Sequence, residues 1–218
     1  MINIAIDGPA GAGKSSIAKA VAKKLGFIYV DTGALYRAIG VNALKHDIAT
    51  TDSEKVVALL PTTEVELKYI DGTQCVFLNG EDVSETIRLP EASMAASNVS
   101  AIPEVRTFLL DLQRDMAKKN NVIMDGRDIG TVILPGADYK FFLTATAEVR
   151  ADRRFKELKE KGIEVDYKQL LEEIIQRDYN DSHRATAPLK QAEDAILVDS
   201  SEMNLEESIN AILSYIKV

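Results

Sequence analysis

The feature that most constrains the fold of this chain is the glycine-rich stretch GPAGAGKS at residues 8–15. It follows an apolar run and precedes a segment with helical spacing, which is the context that the pattern G-x-x-x-x-G-K-[ST] requires. In such a loop, backbone N–H groups turn towards phosphate oxygens, and the following helix adds a partial positive charge. The stretch therefore predicts a nucleoside triphosphate site within a strand–loop–helix unit.

We expect the loop and the first helical residues to hold the triphosphate. Lys14 would reach the β- and γ-phosphates, and the Ser15 hydroxyl would supply an oxygen near Mg²⁺, which makes Ser15 the predicted metal ligand. Asp125 either helps to order the water molecules around Mg²⁺ or only caps the end of its strand. The predicted nucleotide-binding residues are Gly8, Pro9, Ala10, Gly11, Ala12, Gly13, Lys14, Ser15 and Ser16.

Short apolar runs alternate along the chain with segments of helical spacing. The runs lie at residues 2–6, 27–30, 122–124, 139–143 and 195–198, and the helical segments include residues 15–25, 34–44 and 103–118. Strands that alternate with helices indicate a parallel sheet covered on both faces. The predicted fold class is therefore α/β, with a five-stranded parallel sheet covered by helices.

Two regions interrupt this alternation. Residues 64–83 contain short apolar alternations separated by Asp71-Gly72 and Asn79-Gly80, dipeptides that strongly favour hairpin turns. They predict a small antiparallel sheet inserted into the α/β core. Residues 148–188 are helical in pattern and highly charged.

Composition limits the compartment and the partners. The net charge of −8 argues against a nucleic acid polymer or an anionic membrane as the main partner. Cys75 is the only cysteine, so an internal disulfide is excluded and a reducing cytoplasm suits the chain. Cys75 lies in a predicted strand, and we expect it to be an inert thiol. No apolar run reaches the ~18 residues of a membrane span, and the N-terminus lacks a secretion-signal pattern.

The residues after the glycine-rich loop separate motors, switches and kinases. The N-K-x-D motif with which a GTPase reads its base is absent from the sequence. Asp125 ends an apolar run but is followed by Gly126, not by the glutamate that activates water in mechanical ATPases. Transfer to an acceptor that is already an anion needs no strong base, but it needs cations that hold two phosphates in line. A kinase is favoured.

Arginines could supply those cations. Arg150, Arg153 and Arg154 fall at i, i+3 and i+4 of a predicted helix, so they would share one face. The guanidinium group binds phosphate in a bidentate manner, which lysine cannot do. The alternative is a solvated face paired with nearby glutamates. Further along, Arg177, Asp181 and Arg184 have helical spacing too, and a surface ion pair is the alternative there.

Several stretches together resemble the bacterial cytidylate kinases of the nucleoside monophosphate kinase superfamily. The matching stretches lie between residues 6 and 189, with DSS at 199–201, and they read IDGPAGAGKSS, DTGALYRA, AASNVSAIPEVR, DGRDIGTVILPGA, RADRRFKELKEKG and RDYNDSHRATAPL. The resemblance implies Mg²⁺-dependent transfer of the ATP γ-phosphoryl group to CMP or dCMP, in pyrimidine nucleotide metabolism. It also implies a single P-loop kinase domain with a core of about 1–35, 92–147 and 189–218. The rest of the domain would be a monophosphate-binding insertion at about 36–91 and a helical lid at about 148–188.

The resemblance also assigns roles by matching position. It places Arg37, Arg127 and Arg184 on the acceptor phosphate, and Arg177 and Asp181 on the ribose. Cytosine would be read by Ser97, Arg106 and Asp128. An ionised aspartate accepts from the exocyclic amine of cytosine, whereas the carbonyl of uracil would be repelled. Thr32, Gly33 and Tyr36 belong to the first acceptor segment. The implied catalytic residues are Lys14, Arg127, Arg150, Arg153, Arg154 and Arg184.

Two other functions remain as alternatives. One is a kinase for another small metabolite, such as UMP or a sugar-like acid, which would lack a preference for the N4 amine. The other is a regulatory ATP sensor, which would show no turnover that depends on an acceptor. We expect a monomer with ATP and CMP or dCMP as its small-molecule substrates.

Overall fold

The computed structural model describes residues 1–70 and 72–217, so Asp71 of the predicted Asp71-Gly72 turn lies outside the described residues. The chain divides into two compact units. Unit 1 comprises Met1–Tyr29 and Lys119–Val218, and unit 2 comprises Val30–Lys118. The elements follow the chain in the order β1 (Asn3–Asp7), α1 (Lys14–Leu25), β2 (Ile28–Asp31), α2 (Thr32–Lys45), α3 (Ser53–Leu59), β3 (Val65–Ile70), β4 (Thr73–Leu78), β5 (Glu81–Asp82), α4 (Pro90–Val99), α5 (Pro103–Lys119), β6 (Val122–Gly126), β7 (Tyr139–Thr144), α6 (Ala147–Glu160), α7 (Tyr167–His183), β8 (Ile196–Asp199) and α8 (Leu205–Tyr215).

The main sheet has five strands in the order β2-β6-β1-β7-β8. β1 pairs in parallel with both β6 and β7, and Asp7 at its carboxyl end lies opposite Gly126. Because the strands are parallel, the loops that leave β1 and β6 emerge at the same edge of the sheet. In α/β sheets this is the edge where ligands bind. The predicted five-stranded parallel sheet is confirmed, and each strand lies within one or two residues of its predicted range.

Unit 1 has its own apolar core, because the strand interiors and one face of each covering helix are apolar. Ile4 and Ile6 of β1, together with Phe141 and Leu143 of β7, are at most 1% exposed. Ile17 and Val21 of α1 and Ile212 of α8 pack in the same core. Burying one such side chain contributes about 1.5–3 kcal/mol, so this core gives the loops at the sheet edge a rigid base.

Unit 2 has a separate core around α2, which is buried along most of its length. Gly40 allows α4 to approach α2 closely, because a Cβ atom at Gly40 would lie 2.7 Å from the Cβ of Ala95. α5 begins at Pro103 as predicted, and Val105 and Leu109 contribute its buried face.

The small antiparallel sheet is confirmed in unit 2, with the order β3-β4-β5. β3 and β4 pair along six residues, from Val65 opposite Leu78 to Ile70 opposite Thr73. The predicted turn at Asn79-Gly80 joins β4 to β5, and both residues adopt positive φ (49° and 81°). Cys75 lies within β4, as expected.

Candidate active site

The glycine-rich loop leaves β1 with a backbone that only glycine can adopt at its first position. Gly8 has φ 149°, and a Cβ atom there would lie 1.9 Å from the carbonyl oxygen of Leu143. At the other end, Gly13 has φ 88° and caps α1 without a side-chain bond. Gly13 has no side chain that could bind the N–H groups at the start of α1, and the helix dipole favours an anion there.

Lys14 lies folded back on the glycine-rich loop. Its Nζ donates to the carbonyl oxygen of Pro9 at 2.7 Å, and the residue is 6% exposed. Burial lowers the pKa of the Lys14 ammonium well below its ordinary range, and the nearby positive charge of Arg127 lowers it further. A group of phosphates beside this side chain would stabilise its charged form.

Asp125 joins the glycine-rich loop to the end of β6. Its Oδ2 accepts from the Ser15 hydroxyl and its Oδ1 from the Tyr29 hydroxyl, both at 2.8 Å. The Asp125 carboxylate is 4% exposed. Ser15 and Asp125 thus present hard oxygen donors at the foot of α1, the ligand type that Mg²⁺ prefers.

A second buried carboxylate, Asp7, holds the loop that follows β6. Asp7 Oδ1 accepts from the backbone N–H of Ile129 and Oδ2 from that of Gly130, both at 2.7 Å. Burial raises the pKa of Asp7 to about 6, against the opposing effect of these two N–H groups. Within the same loop, Asp128 Oδ1 lies 3.5 Å from Nη2 of Arg184, and both side chains are nearly buried.

The end of α7 contributes a cluster of arginines around one aspartate. Arg127 Nε donates to Asp181 Oδ2 at 2.8 Å. Burial of Asp181 opposes ionisation, but the charges of Arg127, Arg177 and Arg184 outweigh it and lower the pKa of the carboxyl. The structure thus brings four predicted acceptor residues and Asp128 into one group within unit 1. Such a concentration of guanidinium groups suits an anion.

The three predicted lid arginines on α6 have three different sets of partners. Arg150 is 4% exposed; it donates to the carbonyl oxygens of Ala10 and Ala145 at 2.9 Å and forms a bidentate pair with Asp178. Arg153 donates to the carbonyl oxygen of Ser200 at 2.6 Å.

Arg154 forms a half-exposed pair with Glu157 at 2.8 Å, which is the solvated pairing that the sequence left as an alternative. Of the three arginines, Arg150 is therefore the one that contacts the glycine-rich loop.

Unit 2 holds the other predicted acceptor residues in two groups. At the start of α2, Asp31 caps the helix by accepting from Ala34 N at 3.0 Å, and it also pairs with Arg37 at 2.7 Å. Thr32 is 3% exposed, and a Cβ atom at Gly33 would lie 3.2 Å from both Arg37 and Asp31. Asp31 therefore fixes the orientation of Arg37.

The second group in unit 2 lies where α4 ends and α5 begins. Arg106 is 7% exposed, donates to the carbonyl oxygen of Ser100 at 3.2 Å, and lies over the ring of Tyr36 at 5.5 Å. The carbonyl oxygen of Ser97 accepts from the Ser100 hydroxyl at 3.0 Å. The predicted residues Tyr36, Ser97 and Arg106 are thus neighbours.

Sequence reasoning missed four residues that hold predicted site residues in place: Asp7, Asp31, Asp178 and Tyr29. For Asp31 a signal existed, because an aspartate directly before a helical segment is a typical N-cap. Asp7 was visible only as the acidic end of an otherwise apolar strand. Nothing local in the sequence links Asp178 to Arg150 or Tyr29 to Asp125.

Two kinds of feature are absent from residues 1–70 and 72–217. In that part of the chain, we find no group of three or more His, Cys, Asp or Glu side chains arranged to hold a metal ion. None of the helices in the same residues is both long enough and apolar enough to cross a membrane.

Comparisons with known proteins agree with this architecture. The cytidylate kinase family model matches residues 4–218. Proteins named cytidylate kinase from Caldicellulosiruptor bescii and Caldicellulosiruptor saccharolyticus are 58% and 59% identical over 212 residues, which is 97% of this chain and 94% of each relative. A gluconokinase structure from Sinorhizobium meliloti matches 98% of this chain and 90% of its own with a TM-score of 0.52; at 15% identity it shows only the fold. Because the family model matches residues 4–218 and the two relatives align with 97% of the chain, this protein belongs to the cytidylate kinase family.

Proposed function

We propose that this chain is a cytidylate kinase that transfers the γ-phosphoryl group of ATP to CMP or dCMP and yields ADP with CDP or dCDP. The observation that carries the proposal is the identity of 58–59%, over nearly the full length, to proteins named cytidylate kinase. The geometry of unit 1 supports it, because a phosphate-binding loop and a partly buried cluster of arginines around Asp181 occur in one compact unit. A phosphoryl donor and an anionic acceptor need these two features.

The glycine-rich loop is the proposed donor site. Backbone N–H groups of residues 8–16 would surround the β- and γ-phosphates of ATP, and Lys14 would leave Pro9 to bind them. Because Lys14 is already buried, its charge would act in a medium where water screens it little. It would offset the negative charge of the phosphates throughout the transfer.

Mg²⁺ is the proposed divalent ion, and the residues present fit it. The Ser15 hydroxyl and the Asp125 carboxylate supply hard oxygen atoms, and Mg²⁺ in such kinases is held by one or two protein oxygens together with phosphates and water. When bound, the ion would neutralise charge on the β- and γ-phosphates. Tyr29 would keep the Asp125 carboxylate oriented through its 2.8 Å hydrogen bond.

The acceptor phosphate and ribose are assigned in unit 1 to the cluster around Asp181. Arg127 and Arg184 would bind the phosphate, while Arg177 and Asp181 would bind ribose hydroxyls. The acceptor oxygen of CMP is already ionised, so the reaction requires alignment and charge neutralisation and does not require a strong base. Asp128, held near Arg184, is proposed to accept from the N4 amine of cytosine.

In unit 2, Arg37 is proposed to bind the acceptor phosphate, with Thr32, Gly33 and Tyr36 shaping that segment. Asp31 would hold Arg37 in place through their 2.7 Å ion pair. Ser97 and Arg106 are proposed to contact the base. Arg106 suits this role because burial and its contacts with Ser100 and Tyr36 restrict its rotamers before any ligand binds.

The activity can be tested by an ADP-release assay with CMP, dCMP, UMP, AMP, GMP and dTMP as acceptors. We expect CMP or dCMP to give the highest kcat/KM. AMP or dTMP as the best acceptor would refute the proposal. ADP release that is the same with and without any acceptor would instead indicate an ATP sensor.

The role of Asp128 predicts a selective loss in Asp128→Ala. Removing a buried, charged hydrogen-bond acceptor of the base should lower kcat/KM for CMP by about 10- to 100-fold. The KM for ATP should stay within about twofold, since Asp128 has no proposed contact with the donor. Equal losses for both substrates would show that Asp128 is structural.

The lid role predicts large effects for Arg150, Arg153 and Arg154. Replacing Arg153 or Arg154 with alanine could reduce kcat by up to about 10³-fold, by analogy with arginine fingers. Both side chains would have to exchange their present partners for phosphate oxygens. Wild-type rates in Arg153→Ala and Arg154→Ala alike would refute the lid assignment, and structures with both nucleotides should show closure of residues 148–188.

Four further proposals concern the whole protein. We propose that it acts in the cytoplasm, as a monomer, and that it does not bind nucleic acid polymers, in line with its net charge of −8. We also propose the division into a core, a monophosphate-binding insertion (36–91) and a lid (148–188). Light scattering after size-exclusion chromatography would test the monomer, since a dimer would double the mass.

A further inference from the structure

Asp7 makes a bidentate contact with backbone that lies far away in the sequence. It is the last residue of β1, and its two carboxylate oxygens accept from two consecutive N–H groups, those of Ile129 and Gly130. Both distances are 2.7 Å, and the side chain is almost fully buried. Charge-assisted hydrogen bonds of this kind are roughly twice as strong as neutral ones.

These two bonds fix the backbone on the carboxyl side of Asp128. The N–H of Ile129 belongs to the peptide unit that directly follows Asp128, so its orientation determines that of the Asp128 Cα–C bond. The carbonyl oxygen of Asp128 is held as well, because it accepts from Val132 N at 2.9 Å and Ile133 N at 3.1 Å. Asp128 therefore leads into a single π-helical turn (Ile129–Ile133) whose first N–H groups Asp7 binds.

Glycine at residue 130 leaves room for the contact. A Cβ atom at Gly130 would lie 3.3 Å from Asp7 Oδ2 and 3.2 Å from Cδ of Lys140. The Lys140 side chain cannot move away freely, because its Nζ is bound to the Asp194 carboxylate at 2.7 Å and to the Pro135 carbonyl oxygen. The loop is thus confined between a carboxylate and an anchored side chain.

We propose that Asp7 is a positioning residue for acceptor recognition: by holding the Ile129 and Gly130 amides, it sets the orientation of the Asp128 carboxylate towards the base of the nucleoside monophosphate. The inference rests on the proposed role of Asp128 in reading cytosine. It adds a residue that touches neither nucleotide and yet determines which pyrimidine is accepted.

The environment of Asp7 contains effects that oppose its ionised form and effects that favour it. Burial raises its pKa to about 6, and Asp128 adds repulsion, whereas the two amides and Lys14 favour the charged form. Lys140, whose side-chain carbons pack at Gly130 of the same loop, has its ammonium at Asp194. Near neutral pH Asp7 is thus ionised in a site that penalises ionisation.

The test is Asp7→Asn, with Asp138→Asn as the matched control. Asp138 accepts from Asn3 N at 2.8 Å, so it binds a backbone N–H at the opposite end of the same strand, but it is exposed. An asparagine at position 7 can accept only one of the two N–H groups. We expect kcat/KM for CMP to fall about tenfold, and the CMP-to-UMP ratio of kcat/KM to fall as well. The KM for ATP should stay within about twofold, and Asp138→Asn should match the wild type in all three.

Asp128→Ala and the double variant separate this inference from the proposal on which it rests. If Asp7 acts through Asp128, adding Asp7→Asn to Asp128→Ala should not lower the CMP-to-UMP ratio further. A ratio that falls in Asp128→Ala but not in Asp7→Asn would overturn the role of Asp7 alone. A ratio unchanged in Asp128→Ala would overturn base reading by Asp128, and the inference with it.

Gly130→Ala perturbs the same contact by a change in the loop, and it serves as a second test if Asp7→Asn does not fold. The added methyl group would press on Asp7 Oδ2 and Lys140, and should displace the two amides by a few tenths of an ångström. We expect the same pattern, a lower CMP-to-UMP ratio with an ATP KM within about twofold of the wild type. Parallel losses for CMP, UMP and ATP in both variants would mean that Asp7 only stabilises the fold, which would refute the inference.

Discussion

The glycine-rich loop at residues 8–15 and the loop at residues 126–133, here called the β6 loop, follow two neighbouring parallel strands. They obtain their shapes in different ways. The glycine-rich loop depends on its own residues, since Gly8 and Gly13 adopt backbone angles that other residues avoid. The β6 loop is shaped by a side chain from another part of the chain, because Asp7 binds the amides of Ile129 and Gly130.

This difference explains why the conformation of the glycine-rich loop can be predicted from its own residues, whereas that of the β6 loop depends on the tertiary structure. A loop whose conformation is encoded by glycine carries its own signature. The β6 loop lies in one of the stretches that resemble the family, DGRDIGTVILPGA, but its conformation also depends on a carboxylate 122 residues away, which no local pattern shows. The distinction is not complete, because the glycine-rich loop also has a distant partner, Arg150, which binds the carbonyl oxygen of Ala10.

The largest effect is expected where the glycine-rich loop is broken from within. In Gly8→Ala the new Cβ would collide with the Leu143 carbonyl oxygen at 1.9 Å in a backbone conformation that disfavours side chains. Strain and collision together should lower the free energy of unfolding by about 4 kcal/mol. Urea denaturation would measure it.

Gly26→Ala is the matched control for that substitution. Gly26 also has positive φ, at the other end of α1, but its Cβ would meet nothing within 4 Å. It should cost about 1 kcal/mol through backbone strain alone. Similar losses in both variants would show that the contact with Leu143 does not constrain the loop.

A smaller effect is expected where the distant support of the glycine-rich loop is removed. Asp178→Asn would leave the buried Arg150 guanidinium without its carboxylate, and should lower the free energy of unfolding by about 2–3 kcal/mol. The KM for ATP should rise, because Arg150 also holds the loop at Ala10. Circular dichroism during urea titration and initial rates would give the two values.

Glu157→Gln tests the same chemistry on the exposed side of α6. Glu157 pairs with Arg154 and Lys161, but its side chain is 45% exposed. Exposed pairs contribute little, so we expect a loss of at most about 0.5 kcal/mol and an unchanged KM for ATP. If Asp178→Asn behaved like this control, the glycine-rich loop would need no support from α7.

The smallest effect concerns the proton on Lys14. In the free chain, burial and Arg127 lower its pKa, so part of the population is neutral above neutral pH. Triphosphate binding would raise that pKa again and take up a proton. The affinity for a non-hydrolysable ATP analogue should therefore weaken from pH 7.5 to 9, by less than about tenfold per pH unit. Calorimetry in two buffers of different ionisation enthalpy would detect the uptake.

Lys14→Arg provides the comparison for proton uptake, because arginine stays charged over this range. It should bind the analogue without the change in affinity between pH 7.5 and 9. Proton release on binding to the wild type, or the same pH dependence in both proteins, would contradict a depressed pKa at Lys14.

Much of the fold followed from local patterns. The strands, the covering helices, the start of α5 at Pro103 and the small antiparallel sheet are confirmed, because their signals are periodicity and turn residues. The cytidylate kinase resemblance is confirmed by the family model. The roles of individual site residues stay predictions, and so do the boundaries of core, insertion and lid. Helical spacing placed Arg150, Arg153 and Arg154 on one helix, but it could not show that each has a different partner.

The sequence by itself determined the phosphate-binding loop, the order of the five strands along the chain and the family. These depend on backbone preferences of glycine, on apolar periodicity and on stretches of matching residues, all of which can be read along the chain. Only the tertiary structure decided which carboxylate holds which group: Asp7 the β6 loop, Asp178 the Arg150 guanidinium, and Asp125 the hydroxyls of Ser15 and Tyr29. Which partner a charged side chain contacts depends on which groups the fold brings near it. When the pair is buried, losing one partner strongly destabilises the protein.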